Sequence, residues 1–387
     1  MKPNKAPSLG LRPTWFEIDI DAISHNVREL RRLTGAGIAI YVCLKRNAYG
    51  CGVVPVARVS MENGADGLAV GNINDGVAVR EAGITGPLLL YPTCLPDAAP
   101  AVEAYDFIPT ISTPEEAAAW NAALTQRRPV FLKVDVGLFR AGAMPKDVAG
   151  LFQAVRDMPR LHIKGLYSHF FGYGAKPTPE HYAWQYANMK SALAAAADAG
   201  VSAPITMVSA TSSVLDFPDM DLTGVDPGRV IYGIGQLSTP QRPADFRRVF
   251  VAFKTRLLMR KSLEAAETGG FPTPFALRPG MTIGVLPIGW GDGLPRKLPD
   301  NALALIRGRK APLLNPIHLE HLRIDLTGIP EAQPGDEVVL IGRQGDEELP
   351  ITDVTETWGM DATTFHAQMR DHIHREYVTS DGRLAVE

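Results

Sequence analysis

The sequence predicts an α/β fold of consecutive parallel βα units followed by a smaller β-rich domain, and three observations predict it. From Thr14 to about Pro240, short runs rich in β-branched and aromatic residues alternate with helix-like runs. The intervening runs are Ala-rich, most clearly from Glu180 to Ala199, where Gly200 supplies a stop. After about Phe250, Pro and Gly punctuate short alternating stretches, the pattern of a β-rich domain of ~130 residues.

Taken in order, Phe16 to Ile20 reads as a strand, and Asp21 opens a helical stretch through Leu33. Ile38 to Leu44 is a strand, followed by a helical pattern from Val53 to Glu62. The strand signal returns at Gly67–Val70, Pro87–Tyr91, Phe107–Pro109, Val130–Val134, Ile163–Ser168 and Ile205–Val208. Such a series closes into a barrel or forms a doubly wound open sheet. In the C-terminal part, Ile283–Ile288, Ala302–Ile306, Leu322–Leu326 and Glu337–Ile341 read as strands.

Composition narrows the function. The chain has 387 residues, 45% hydrophobic and 21% charged, which excludes an intrinsically disordered chain and fits two domains or one large barrel with an appendage. No apolar window of about eighteen residues suggests a membrane span. A net charge of −3 offers nothing for nucleic acid or an anionic membrane surface, so a small-molecule partner is expected. Three cysteines without ligand spacing make neither a disulfide framework nor a metal site. The first residues contain no apolar core of a secretory signal, so a reduced, cytoplasmic setting is the expectation.

In barrels of this kind, chemistry gathers where the strands end. Lys45 follows one such end, with Asn47, Tyr49 and Gly50 close behind; Asp135, Gly137 and Arg140 follow another; His169 follows a third. Ser209, Thr211, Ser212 and Ser213 follow a fourth, and Asp226, Gly228 and Arg229 precede Val230-Ile231-Tyr232-Gly233. Each has a bland reading: a solvated lysine, a core histidine, a helix cap, a turn glycine. Together, a Schiff-base lysine, an arginine, a ring-stacking histidine and Ser and Gly groups suited to phosphate describe a pyridoxal-phosphate site.

Leu44-Lys45-Arg46-Asn47-Ala48-Tyr49-Gly50-Cys51-Gly52 is similar to the cofactor-lysine motif of the alanine racemase family, with Cys51 where that motif usually has His. Arg12 to Asn26 resembles the opening strand and first helix of the same family. Lys133 to Arg140, Ser168-His169-Phe170, Gly289 to Arg296 and Gly335 to Gly342 also match, so the resemblance covers nearly the whole chain. It implies a (β/α)8 barrel over residues 14–245 and a C-terminal β domain over 250–387, with residues 1–13 packing on the latter. It also implies a pyridoxal 5'-phosphate cofactor, an amino-acid substrate and a head-to-tail homodimer whose sites are each completed by the partner's C-terminal domain.

Position by position, the resemblance implies that Lys45 carries the cofactor and acts as a base at Cα, and that Tyr49 touches its phosphate. Arg140 would face the cofactor's phenolic oxygen and the substrate carboxylate, above Lys133, which in the family is sometimes carbamylated. His169 would stack on the pyridine ring, while Ser212 and the Gly228-Arg229 turn would hold the phosphate.

Two departures fall on the chemistry. The family's second base is a Tyr in Gly-Tyr-Ala-Asp-Gly, and the corresponding stretch reads Gly289-Trp290-Gly291-Asp292-Gly293. An indole N–H donates a hydrogen bond but is no base near neutral pH. The family places an Arg against the pyridine nitrogen where this chain has Asp226, and a carboxylate would stabilise a pyridinium and a stronger electron sink. Asp226-Pro227-Gly228-Arg229 is also similar to the Glu-Pro-Gly-Arg motif of barrel-type amino-acid decarboxylases. In addition, Asn315-Pro316-Ile317-His318-Leu319-Glu320-His321 replaces the stretch carrying a substrate-facing Met, which puts Leu319 at the substrate and two histidines near the closing of the pocket. The family's phosphate-binding Tyr has no clean match around Asp361 to Phe365.

These features lead first to decarboxylation or aldol-type Cα–Cβ chemistry. The alternative is a racemase or epimerase of altered specificity in which His318, His321 or a water replaces the Tyr. A non-catalytic cofactor-binding protein is the third reading, and the retained Lys45, Arg140, His169 and Ser212 weigh against it.

Overall fold

The computed structural model describes residues 12–170, 178–264 and 277–385. They fall into two compact units, Asp21–Arg247 and a second formed by the chain up to Ile20 together with Arg248 onward.

The first unit is a closed parallel barrel with its strands in chain order. If the strand Thr14–Asp19 is β1, the barrel strands are β2 (Ala39–Cys43), β3 (Gly67–Val70), β4 (Leu88–Leu90), β5 (Ile108–Ile111), β6 (Arg128–Lys133), β7 (Leu161–Tyr167), β8 (Ile205–Ser209) and β9 (Gly224–Val225). The two-residue β9 closes the ring, Ala39 pairing with Gly224 and Ile40 with Val225 on one side and β8 lying on the other. Helices cross between strands, the longest being Pro179–Asp198, whose Thr178 side chain accepts from the His181 N–H at its start.

The barrel interior is a packed core. Tyr41, Phe131, Tyr167 and Met207 are buried in one cluster, with Phe131 edge-on to both Tyr41 and Tyr167. Glycines opposite these side chains make the room: a Cβ on Gly67 would lie 2.6 Å from the Tyr41 ring, and one on Gly165 would lie 2.3 Å from Phe131. Burying each such side chain stabilises the fold by about 1.5–3 kcal/mol.

Among the described residues, the second unit is built on a ten-stranded sheet. Its further strands are β10 (Phe250–Arg256), β11 (Met259–Ser262), β12 (Thr282–Leu286), β13 (Leu303–Ile306), β14 (Arg309–Leu314), β15 (Leu322–Asp325), β16 (Glu337–Gln344), β17 (Glu347–Leu349) and β18 (His374–Val378). The order runs β11-β12-β15-β14-β13-β16-β10-β1-β18, with β17 paired to β16.

β1 belongs to this sheet and not to the barrel. Thr14 pairs antiparallel with Thr255, and Trp15 pairs parallel with His374. The stretch from Thr14 to Ile20, read from sequence as the start of the barrel domain, therefore groups with the β-rich unit, and the barrel unit begins at Asp21. The physical reason is pairing: β1 finds two open strand edges there, while β9 already fills the place beside β2. Of the residues expected to pack on the C-terminal domain, 1–11 lie outside the described residues. Arg12 does make that contact, donating to the Pro287 and Glu320 carbonyls and to Asp292.

Candidate active site

The carboxyl end of β2 leads directly into Lys45. Arg46, Asn47, Ala48 and Tyr49 then have φ of 53–54°, so the chain makes a turn of left-handed helix. Each L-residue in that conformation costs roughly 1–2 kcal/mol, so its neighbours must hold it. The Asn47 side chain accepts from the Val53 N–H at 2.7 Å, and the Ala48 N–H reaches the Leu44 carbonyl at 3.0 Å. This turn places Lys45 and Tyr49 on the wall of one pocket with about 800 Å³ of space.

Four further strand ends meet there. Arg140 and His169 come from the segments after β6 and β7, Ser212 from the turn after β8, and Asp226, Gly228 and Arg229 from the segment after β9. These six, with Lys45 and Tyr49, are site residues read from the sequence, and the barrel brings them together.

At the end near the start of the helix Thr211–Asp216, an Arg229 Nη donates to Ser212 Oγ at 3.3 Å, and the Val230 N–H donates to Thr211 Oγ1 at 3.2 Å. Tyr49 stacks on Tyr232 with ring centroids 4.6 Å apart. A Cβ on Gly228 would lie 2.5 Å from the Tyr49 hydroxyl, so only a glycine admits this approach. Hydroxyls, a guanidinium and a tight turn gathered at one point suit an anion such as a phosphate.

At the other end the charges are buried. Asp226 is 4% exposed; its Oδ2 accepts from the Tyr91 hydroxyl at 3.2 Å, and its Oδ1 has no hydrogen-bond partner among the described residues. Burial pushes its carboxyl up to about 6, against the opposing pull of Lys45 and Lys133. Lys133 Nζ stands 3.9 Å from the Tyr167 ring centroid, and burial brings it down to about 7. Lys45 Nζ stands 4.0 Å from the centroid of Tyr91. His169 is held well below the ordinary histidine value, first by burial and then by Lys45, Lys133, Arg140 and Arg229, so its ring is neutral.

Asp135 serves the backbone. Its carboxylate accepts the N–H groups of Gly137, Leu138, Phe139 and Arg140 at 2.7–3.0 Å, which shapes the loop that presents Arg140. Burial opposes the charge on Asp135, but these donors outweigh it and hold the carboxyl below its ordinary value.

The remaining sequence candidates lie in the β-rich unit. The Trp290 N–H donates to the His318 carbonyl at 3.1 Å and the Gly291 N–H to the Leu319 carbonyl at 2.9 Å, so the two divergent segments lie against each other. His318 and His321 are exposed on that unit, as is Leu319. Tyr91 and Tyr232 were missed in the sequence, and Thr211 was named there among the strand-end hydroxyls without a role of its own. For Tyr91 the signal was its position at a strand end, which its apolar neighbours disguised.

The pocket fits a compact anionic heteroaromatic cofactor: Lys45 could bind a carbonyl, Ser212, Tyr49 and the Gly228 turn a phosphate, and the orphaned Asp226 Oδ1 a ring N–H. Fold and site together define a barrel-type, cofactor-dependent enzyme with its lysine at the end of the first barrel strand. The comparisons agree. The alanine racemase N-terminal domain model matches residues 18–236 and the C-terminal domain model residues 250–377. The alanine racemase of Halothermothrix orenii is 32% identical over 348 residues, 89% of this chain and 91% of its own. That of Symbiobacterium thermophilum is 31% identical, covering 89% and 92%. The crystal structure of Bacillus anthracis alanine racemase with bound L-Ala-P superposes with a TM-score of 0.87 at 25% identity, covering 98% of both chains. The chain belongs to the alanine racemase family, whose enzymes use pyridoxal 5'-phosphate for chemistry at the Cα of an amino acid.

Proposed function

We propose that this chain is a cytoplasmic, pyridoxal-phosphate-dependent enzyme that cleaves or forms a bond at Cα of an amino acid by decarboxylation or aldol-type Cα–Cβ chemistry. On this reading it is not a Lys/Tyr two-base alanine racemase. The observation that carries the reading is Asp226, a buried carboxylate with one oxygen unengaged in the pocket of Lys45. The cofactor, when bound, supplies a sink for the electron pair left at Cα.

On this reading Lys45 holds the cofactor and moves the proton at Cα. Asp226 keeps a proton on the ring nitrogen, deepening the sink. The neutral His169 packs on the ring, and Arg140 binds the substrate carboxylate or the phenolic oxygen beside it. Ser212, Tyr49 and the Gly228-Arg229 turn fix the phosphate. The Trp290 turn, with Leu319, closes the site from the second subunit of a homodimer. An indole there shapes the pocket and excludes water without taking up a proton.

A second reading, a racemase or epimerase of altered specificity, is favoured by the relatives' names and by the backbone bond from the Trp290 N–H to the His318 carbonyl, which lays the segment carrying His318 against the turn. One experiment separates the two. The holoenzyme is incubated with a panel of amino acids in deuterated water and the products are followed by NMR. Release of carbon dioxide or an aldehyde is the expected result. Deuterium at Cα with loss of chirality and an intact skeleton overturns it in favour of racemisation.

A further inference from the structure

Tyr91 touches both ends of the buried charge arrangement. Its hydroxyl donates to Asp226 Oδ2 at 3.2 Å, and its ring face lies under Lys45 Nζ at 4.0 Å. The residue is 5% exposed at the carboxyl end of β4, a strand that contributes none of the residues assigned a role above. Among the described residues Asp226 has no other side-chain hydrogen-bond donor, since Oδ1 is unpartnered.

We propose that Tyr91 is a positioning residue: it fixes one oxygen of Asp226 so that the other stays aimed at the cofactor's ring nitrogen, while its ring holds the Lys45 amino group in place. The inference rests on the role proposed for Asp226. A carboxylate free to rotate about its χ2 angle spreads over a broad range of orientations. One held by a donor on a rigid aromatic side chain presents its second oxygen in a single direction. The hydrogen bond also favours the ionised carboxyl, opposing the burial that favours the protonated one. A protonated Asp226 would carry no charge to stabilise a protonated ring nitrogen. Lys45 and Asp226 thus share one rigid support, which sets the separation between the group that binds the cofactor carbonyl and the group that meets its far nitrogen.

The test uses the full-length holoenzyme reconstituted with ring-15N pyridoxal phosphate, and reads the nitrogen resonance by NMR as a function of pH. The wild-type nitrogen is expected to be protonated. Tyr91→Phe keeps the ring under Lys45 and removes the hydroxyl; its nitrogen is expected to lose protonation at a pH lower by about one unit, the scale of one hydrogen bond to a charged group. The expected kinetic split is a fall of roughly tenfold or more in kcat with little change in KM, while borohydride still traps the cofactor on Lys45. Asp226→Asn is the reference. If it shifts the resonance and Tyr91→Phe does not, Tyr91 has no positioning role and the reading of Asp226 stands. If neither shifts it, the reading of Asp226 falls and the inference with it. Should Tyr91→Phe hold too little cofactor to measure, 3-fluorotyrosine at position 91 keeps the shape and donates more strongly. It is then expected to move the resonance the opposite way, and no movement overturns the proposal.

Discussion

The Tyr232 hydroxyl donates to the Cys43 carbonyl at 2.7 Å. This buried bond ties the turn after Gly228 to the end of β2, two residues before Lys45, so the anion-binding end and the lysine end of the pocket move as one piece. Tyr232→Phe leaves that carbonyl without its donor. The expected loss is about 1 kcal/mol of stability in urea unfolding, together with a several-fold weaker pyridoxal-phosphate affinity by fluorescence titration.

Gly228→Ala is expected to act on both the cofactor and the packing around it. The added methyl would sit 2.5 Å from the Tyr49 hydroxyl, and Tyr49 is stacked on Tyr232 and cannot swing away freely. Affinity for the cofactor, measured by equilibrium dialysis, is expected to fall about tenfold or more, and the overpacked site is expected to cost the cofactor-free protein roughly 1–3 kcal/mol, read as a lower melting temperature.

Lys133 gives a pH signature. Burial lowers it to about 7 from an ordinary 10.5, so between those values the unfolded chain binds a proton that the native chain does not. Stability therefore rises with pH across that window; the contribution is lost progressively as pH falls from 10.5 to about 7, below which both states carry the proton and it changes no further. In denaturant titrations of the cofactor-free protein, Lys133→Met is expected to remove the rise. A wild-type protein whose stability is flat from pH 7 to 10 would contradict the assignment.

Asp292 anchors the Trp290 turn within the β-rich unit. Its Oδ1 meets Arg12 at 2.7 Å and His372 at 2.8 Å, and its Oδ2 accepts the Gly289 N–H at 2.8 Å. Asp292 is the buried member, while Arg12 and His372 reach solvent, so Asp292→Ala is expected to cost about 1–2 kcal/mol by calorimetry or chemical denaturation, chiefly from the lost hydrogen bonds. Turnover is expected to fall as well, because the turn loses its shape.

Trp290→Tyr supplies the phenol that the family resemblance expects at this position. Alanine racemisation, followed by circular dichroism, is expected to rise above the wild-type rate.

Much of this was legible in the residues. The helix Val53–Glu62 and the strand Gly67–Val70 read from the sequence as they stand in the structure, because apolar spacing and flanking glycines agree there. The pocket residues were found because strand ends carry chemistry and each is polar. β1 was misplaced because alternation signals a strand but not the sheet it joins, and its partners begin at Phe250 and His374. β9 is two residues long and too short to show a period. The left-handed turn at Arg46–Tyr49 was hidden because none of its residues is glycine; only surrounding contacts make it tolerable.

The interleaving of β1 between β10 and β18 has a consequence for biosynthesis. As the chain leaves the ribosome, its first strand emerges before either of its neighbours exists, and the whole barrel is translated before Phe250 appears. The barrel can complete itself in that interval. The other unit must wait: its leading strand stays unpaired until β10 follows the barrel, and its second edge stays open until β18 is made.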